Sequence, residues 1–177
     1  MLVAAGLAGC RPPASPTTAP ALVEPAEFAT WPRVTERPVR VNSTLFMRCS
    51  LPPPPRGSVA HDAATSAADP HAEHSIVVRV SPDAVAAYRE GRPLPAGAVV
   101  VKEKYNDASA SGPLRAYGMM IKRGAGFDSR GGDWEYAYVA LAGERSKARG
   151  RLAGCAGCHA SAHGSDYLFR SYGGAGR

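Results

Sequence analysis

Cys155-Ala156-Gly157-Cys158-His159 places two thiols three residues apart, with an imidazole immediately after the second. Thiols at that spacing can add to the two vinyl groups along one porphyrin edge, and the next residue then reaches beneath the iron. The pentad predicts a c-type haem held covalently through Cys155 and Cys158, with His159 as its proximal iron ligand. A bare Cys-x-x-Cys also occurs as half a zinc site or as a redox dithiol. Zinc would want a second Cys/His pair at comparable spacing, and His163 is the sole nearby candidate. A thioredoxin-like dithiol belongs to an alternating β/α pattern, which this chain does not show.

Leu7-Ala8-Gly9-Cys10, after the apolar run from Leu2 to Ala5, reads as a bacterial lipoprotein cleavage box with Cys10 as the lipidated residue. It implies export, a mature N-terminus at Cys10, and a place in the periplasm or cell envelope on an acyl anchor to a bacterial membrane. The segment lacks a basic n-region and its apolar stretch is short, as a true start upstream of Met1 would produce. A chance apolar N-terminus is the alternative. Residues 11–30, rich in Pro, Ala and Thr, read as a semi-extended linker, and residues 31–177 as the haem domain.

The chain has 177 residues, 45% of them hydrophobic, enough for one proper core and hardly two. Its formal net charge of +6 is spread along the sequence without a basic run. A solvated surface explains that charge, with attraction to anionic head groups or an acidic redox partner as the lesser reading. There is no nucleic-acid-binding module. Of the four cysteines, Cys49 is left over once Cys10, Cys155 and Cys158 are assigned. It reads as a buried apolar residue, or less often as a disulfide between protomers.

Between linker and pentad the pattern is β-rich. His74 to Val80 carries a β-branched run suited to a strand. Ser81-Pro82-Asp83 offers an N-cap, a proline at the first helical position and a first-turn acid, before a short helix stopped at Gly91. Gly97–Tyr105, Leu114–Lys122 and Asp133–Leu141 read as further strands, the last alternating Trp134, Tyr136 and Tyr138 against Glu135, Ala137 and Val139. The glycine-rich residues 123–132 read as a hairpin connection. The expected fold class is α+β, mainly an antiparallel β-sheet with a few short helices, the haem motif following the sheet on a helix or loop.

Over roughly residues 75–170 the chain resembles the cytochrome P-460 family. The matching pieces are Gly97-Ala-Val-Val-Val-Lys-Glu103, Gly132-Asp-Trp-Glu135, and the pentad continued by Asp166-Tyr167-Leu168-Phe169. The resemblance implies a mostly antiparallel β homodimer with a five-coordinate haem, cross-linked to a lysine that falls at Lys102. Read from the residues alone, Lys102 shares a strand face with Val100 and Lys104, opposite Val99, Val101 and Glu103. It is then a solvated lysine if the Val99 face alone is packed. Burial of both faces would instead put it in an apolar pocket that favours the neutral, nucleophilic amine.

The resemblance also implies a distal carboxylate on the strand after the lysine strand. Tyr117-Gly-Met-Met-Ile-Lys-Arg123 offers Lys122 and Arg123 there and no acid. Glu103 and Glu135 are the candidates for an acid that could reach the pocket. Met119 or Met120 could ligate iron through a thioether, although on an alternating strand only one can face inward, and a core role is the plainer reading. His71 and His74 read as surface histidines.

These readings converge on an exported haem c protein acting on a small nitrogen compound, hydroxylamine or nitric oxide, at an open iron site. Lys102 would tune the ring, and a soluble periplasmic protein such as another cytochrome would accept electrons. The competing class is a mono-haem electron-transfer or gas-binding cytochrome without turnover.

Overall fold

Runs of β-branched and aromatic residues with two-residue periodicity build the centre of the molecule. In the computed structural model, residues 21–41, 74–141 and 146–170 are described. Cys10, Cys49, His71 and residues 11–20 of the linker lie outside them. Four seven-residue strands, β2 (His74–Val80), β3 (Val99–Tyr105), β4 (Ala116–Lys122) and β5 (Trp134–Ala140), are flanked by β1 (Val39–Val41) and β6 (Ser146–Gly150). Their spatial order is β1-β2-β3-β4-β5-β6 and every pair is antiparallel. Short helices complete the unit: α1 (Pro25–Phe28), α2 (Val85–Arg89), α3 (Ala153–His159) and a 3₁₀ segment, Ala160–Ser165. The expected α+β class with a mainly antiparallel sheet is what the chain adopts.

Because side chains alternate across a strand, the register fixes what each face carries. One face holds the row Val78, Lys102, Gly118, Tyr138 and Ala148, and beside it Val80, Val100, Met120, Tyr136 and Gly150. The other holds Arg79, Val101, Met119, Ala137 and Arg149, beside Val77, Glu103, Tyr117, Val139 and Lys147.

Both faces are covered. On the first, Val78, Val80, Val100, Met120, Trp134 and Tyr136 pack with Ala87 and Tyr88 of α2, Leu94 and Leu168, and Cys155 and Ala156 of α3 lie against them. On the second, Phe28 and Trp31 cap Val99, Val101, Tyr117, Met119, Ile121, Ala137 and Val139. Residues 21–30, which composition assigns to the linker, are thus folded where described: Phe28 is buried and meets the Tyr117 ring edge-on at 5.0 Å. A single aromatic among small residues carries no periodicity, so only its fit against the sheet reveals its role.

Three local expectations change. Ser81 does not cap the helix: its hydroxyl accepts from the Val99 amide at 3.1 Å, and α2 starts only at Val85. Asp133 lies outside β5, in a left-handed turn with φ of 58°. His74 is buried at the start of β2 rather than on the surface, with its pKa held down by burial and by Arg115 and Lys104.

Candidate haem-binding site

The haem pentad occupies α3, seven residues that include two glycines and bury none of their own side chains fully. Such a segment has little intrinsic helicity, so it depends on docking. Cys155 is half-buried against the core formed by Trp134 and Tyr136, and Cys158, one turn on, is exposed. Both thiols are free of disulfides. A Cβ added at Gly154 or Gly157 would meet nothing within 4 Å.

His159 ends the helix on the sheet side. Its ring lies 5.5 Å from that of Tyr136 and 5.0 Å from that of Phe169. Nδ1 is 2.7 Å from the Tyr167 carbonyl oxygen. A carbonyl can only accept, so Nδ1 carries the proton and Nε2 keeps its lone pair, the tautomer a metal ligand requires. Burial pushes the His159 pKa down and the positive charge of Lys102 adds to that, while the Tyr167 hydrogen bond works the other way.

The carbonyl is in place because Asp166 and Tyr167 both adopt left-handed conformations, φ of 57° and 61°, turning the chain back under the histidine. Gly132 permits the turn to pack. At φ of 66°, a Cβ there would sit 2.5 Å from the Tyr167 ring, so only glycine fits.

Lys102 is on the same face as Tyr136 and Met120, with Gly118 as its cross-strand partner in β4. Both faces of the sheet are covered, Lys102 itself is half-buried, and its charge is felt at His159. The structure therefore brings together Lys102, Cys155, Cys158 and His159 on one side of the sheet.

These residues fit a c-type haem. Two thiols outside any disulfide and an imidazole with its Nε2 lone pair supply the donors, and the glycines of α3 leave space beside them. The buried Tyr136 hydroxyl points the same way. It has no hydrogen-bond partner among the described residues, and burial pushes its pKa upward, which a polar group on a bound cofactor would answer.

The acid candidates do not reach this side. Glu103 faces the opposite side of the sheet, 2.6 Å from Arg79, and accepts a 2.9 Å bond from the Tyr105 hydroxyl. Glu135 is also opposite, held by the Arg149 fork at 2.7 and 3.0 Å, with Arg123 at 3.6 Å. Alternation puts both glutamates out of phase with Lys102. Lys122, by contrast, is on the site face, where it pairs with Asp166 at 2.6 Å and lies over the Trp134 ring. Of the two methionines, Met120 is on the site face and Met119 is in the opposite core.

Sequence reasoning missed Asp166 as an anchor, the Tyr167 carbonyl, Phe169 and Gly118. The first three sit within the Asp-Tyr-Leu-Phe motif, whose spacing was the available signal. Gly118 had none beyond being a glycine inside a strand.

Among the described residues no three His, Cys, Asp or Glu side chains gather into a metal-ion cluster, so the zinc alternative finds no ligand set. Among them, too, no helix is long and apolar enough to cross a membrane. A search of curated proteins finds no match. The family model described as Cytochrome P460 matches residues 57–170, a span that runs from before β2 through the lysine strand and past the histidine turn. Sheet, lysine strand and pentad thus fall within one match, and the chain belongs to the cytochrome P460 family, a haem c protein.

Proposed function

We propose that this protein is an exported, lipid-anchored cytochrome that carries out redox chemistry on a small nitrogen compound, hydroxylamine or nitric oxide, at an open iron site. The observation that supports it best is the placement of Lys102 and His159 on one sheet face, close enough for the lysine charge to lower the histidine pKa. When bound, haem supplies an iron that can hold the substrate nitrogen and pass its electrons to an acceptor such as another cytochrome.

The chain's own residues have distinct tasks. Cys155 and Cys158 anchor the ring through thioethers, His159 ligates through Nε2, and the Tyr167 carbonyl holds the imidazole in orientation. Lys102 would be the lysine that holds and tunes the porphyrin, by the family's pattern. No carboxylate lies on the site face of any strand among the described residues, and Asp166 on the turn is tied to Lys122 and the Leu94 amide, so substrate protons leave to solvent or buffer. Turnover is therefore slow and rises with the concentration of small buffer bases.

Hydroxylamine turnover with an artificial acceptor is the decisive assay, supported by fast nitric oxide binding to the reduced protein. A low-spin, six-coordinate spectrum with sluggish binding would favour the second reading, an electron-transfer cytochrome. Met120 supports that alternative, because its thioether is on the site face. Export rests on Leu7-Ala8-Gly9-Cys10: native protein partitions with membranes and Cys10→Ser abolishes this, whereas identical soluble fractionation of both would remove the anchor.

A further inference from the structure

Asp166 makes three directed contacts, and each goes to a different element. Oδ1 is 2.6 Å from the Lys122 ammonium at the end of β4. Oδ2 accepts the Leu94 amide at 2.8 Å, from the segment before β3. Its own carbonyl accepts the Trp134 indole N–H at 2.9 Å, from the start of β5. The Lys122–Asp166 pair is largely withdrawn from solvent, with side-chain exposures of 14% and 9%.

The backbone at this residue is left-handed, as is that of Tyr167. Two successive non-glycine residues in that region are strained and persist where the surroundings over-determine them. The strained pair ends in the carbonyl that accepts the His159 Nδ1–H. The contacts of Asp166 hold one peptide unit away from that acceptor.

We propose that Asp166 is a positioning residue for the iron ligand. By clamping the turn to β4, β5 and the segment before β3, its carboxylate fixes the distance from the Tyr167 carbonyl to His159 Nδ1, and so sets how electron-rich the ligating nitrogen is. A strong Nδ1–H···O bond makes the imidazole a better donor, strengthens the iron–histidine bond and favours the oxidised iron. Lys122 acts through Asp166. The inference rests on His159 being the ligand.

The test uses the haem-loaded protein and two readouts, the iron–histidine stretching band of the reduced state by resonance Raman and the reduction potential. Asp166→Asn tolerates the left-handed backbone and can still accept from Leu94, but loses the ion pair. It is expected to move the band to lower frequency and the potential in the positive direction. Lys122→Met is expected to shift both the same way, and Lys122→Arg, which keeps the cation, to stay near wild type.

Haem-loaded Asp166→Asn and Lys122→Met with the wild-type band and potential would overturn the proposal, even if both melt at lower temperature, because they would make the cluster merely structural. If Asp166→Asn yields no holoprotein, Lys122→Met and Trp134→Phe carry the same measurement. Failure of all three to retain haem also counts against it, since positioning requires a loaded protein with a shifted ligand. If the reduced wild type is six-coordinate and shows no iron–histidine band, the reduction potential alone carries the test; if His159→Ala leaves the haem spectrum unchanged, His159 is not the ligand and the proposal falls with it.

Discussion

Lys102 stands directly opposite Gly118 in the β3–β4 ladder, on the sheet face that also carries His159's neighbour Tyr136. The glycine puts no side chain beside the lysine on the β4 side, while Val78 faces it from β2. A Cβ at Gly118 would have only the Ala137 carbonyl oxygen nearby, at 3.8 Å. Gly118→Ala is therefore tolerated and stabilises by about 0.5 kcal/mol, the usual gain for removing glycine from a strand. Gly118→Leu fills the space beside Lys102 and lowers haem loading while the sheet stays folded. Thermal melts, with the ratio of haem to protein absorbance, separate the two effects.

Lys102→Ala changes the haem and leaves its attachment. The reduced-state absorption is expected to move to that of an ordinary c-type haem, while acid-acetone extraction still leaves haem on Cys155 and Cys158. An unchanged spectrum would remove the lysine from the cofactor.

The Tyr136 hydroxyl is buried with no partner among the described residues. In haem-free protein, Tyr136→Phe relieves an unmet hydrogen-bonding group and is expected to raise stability by about 1 kcal/mol. In haem-loaded protein the gain disappears or reverses if the hydroxyl bonds to the cofactor. Denaturant titrations of both forms make the comparison.

Glu135 serves the fold and not the chemistry. It is 6% exposed, under the Arg149 fork and near Arg123, on the face away from Lys102. Glu135→Gln is expected to cost about 2 kcal/mol, because the charge that pairs two guanidinium groups is removed. The absorption spectrum and nitric oxide binding should be those of wild type. A change in either would place Glu135 in the pocket after all.

His74 gives the protein an acid-sensitive edge. Burial, Arg115 and Lys104 hold its pKa below the ordinary 6.5, against a hydrogen bond donated to Asn106. The unfolded chain then binds the proton more readily than the folded one. Stability is full above about 6.5 and falls as pH drops from there through the lower folded value. His74→Asn is expected to flatten that fall between pH 7 and 5 in chemical denaturation series, and an unaltered slope would exclude His74 as its source.

The residues that hold haem were legible from sequence because their chemistry is local. Cys155, Cys158 and His159 lie within five consecutive positions, and covalent attachment needs that spacing and little else. The strands were legible for a similar reason. Val, Ile, Tyr and Trp at alternate positions leave a period-two pattern, and β2 to β5 appear where it occurs. Elements without such a pattern were not legible: β6 is Ser-Lys-Ala-Arg-Gly, and α1 is four residues.

What tertiary structure alone decided is which groups share a face and what turns toward the histidine. Alternation could say that Lys102 and Glu103 point apart, and that only one of Met119 and Met120 faces inward. It could not say which face received α3. The register across β2 to β6 and the docking of Cys155 settle that, placing Lys102 and Met120 with His159 and both glutamates behind the sheet. Asp166 and Lys122 are 44 residues apart in the chain, and nothing local brings them together. Their ion pair, and the carbonyl it steadies beneath His159, exist only once sheet and turn have closed on each other.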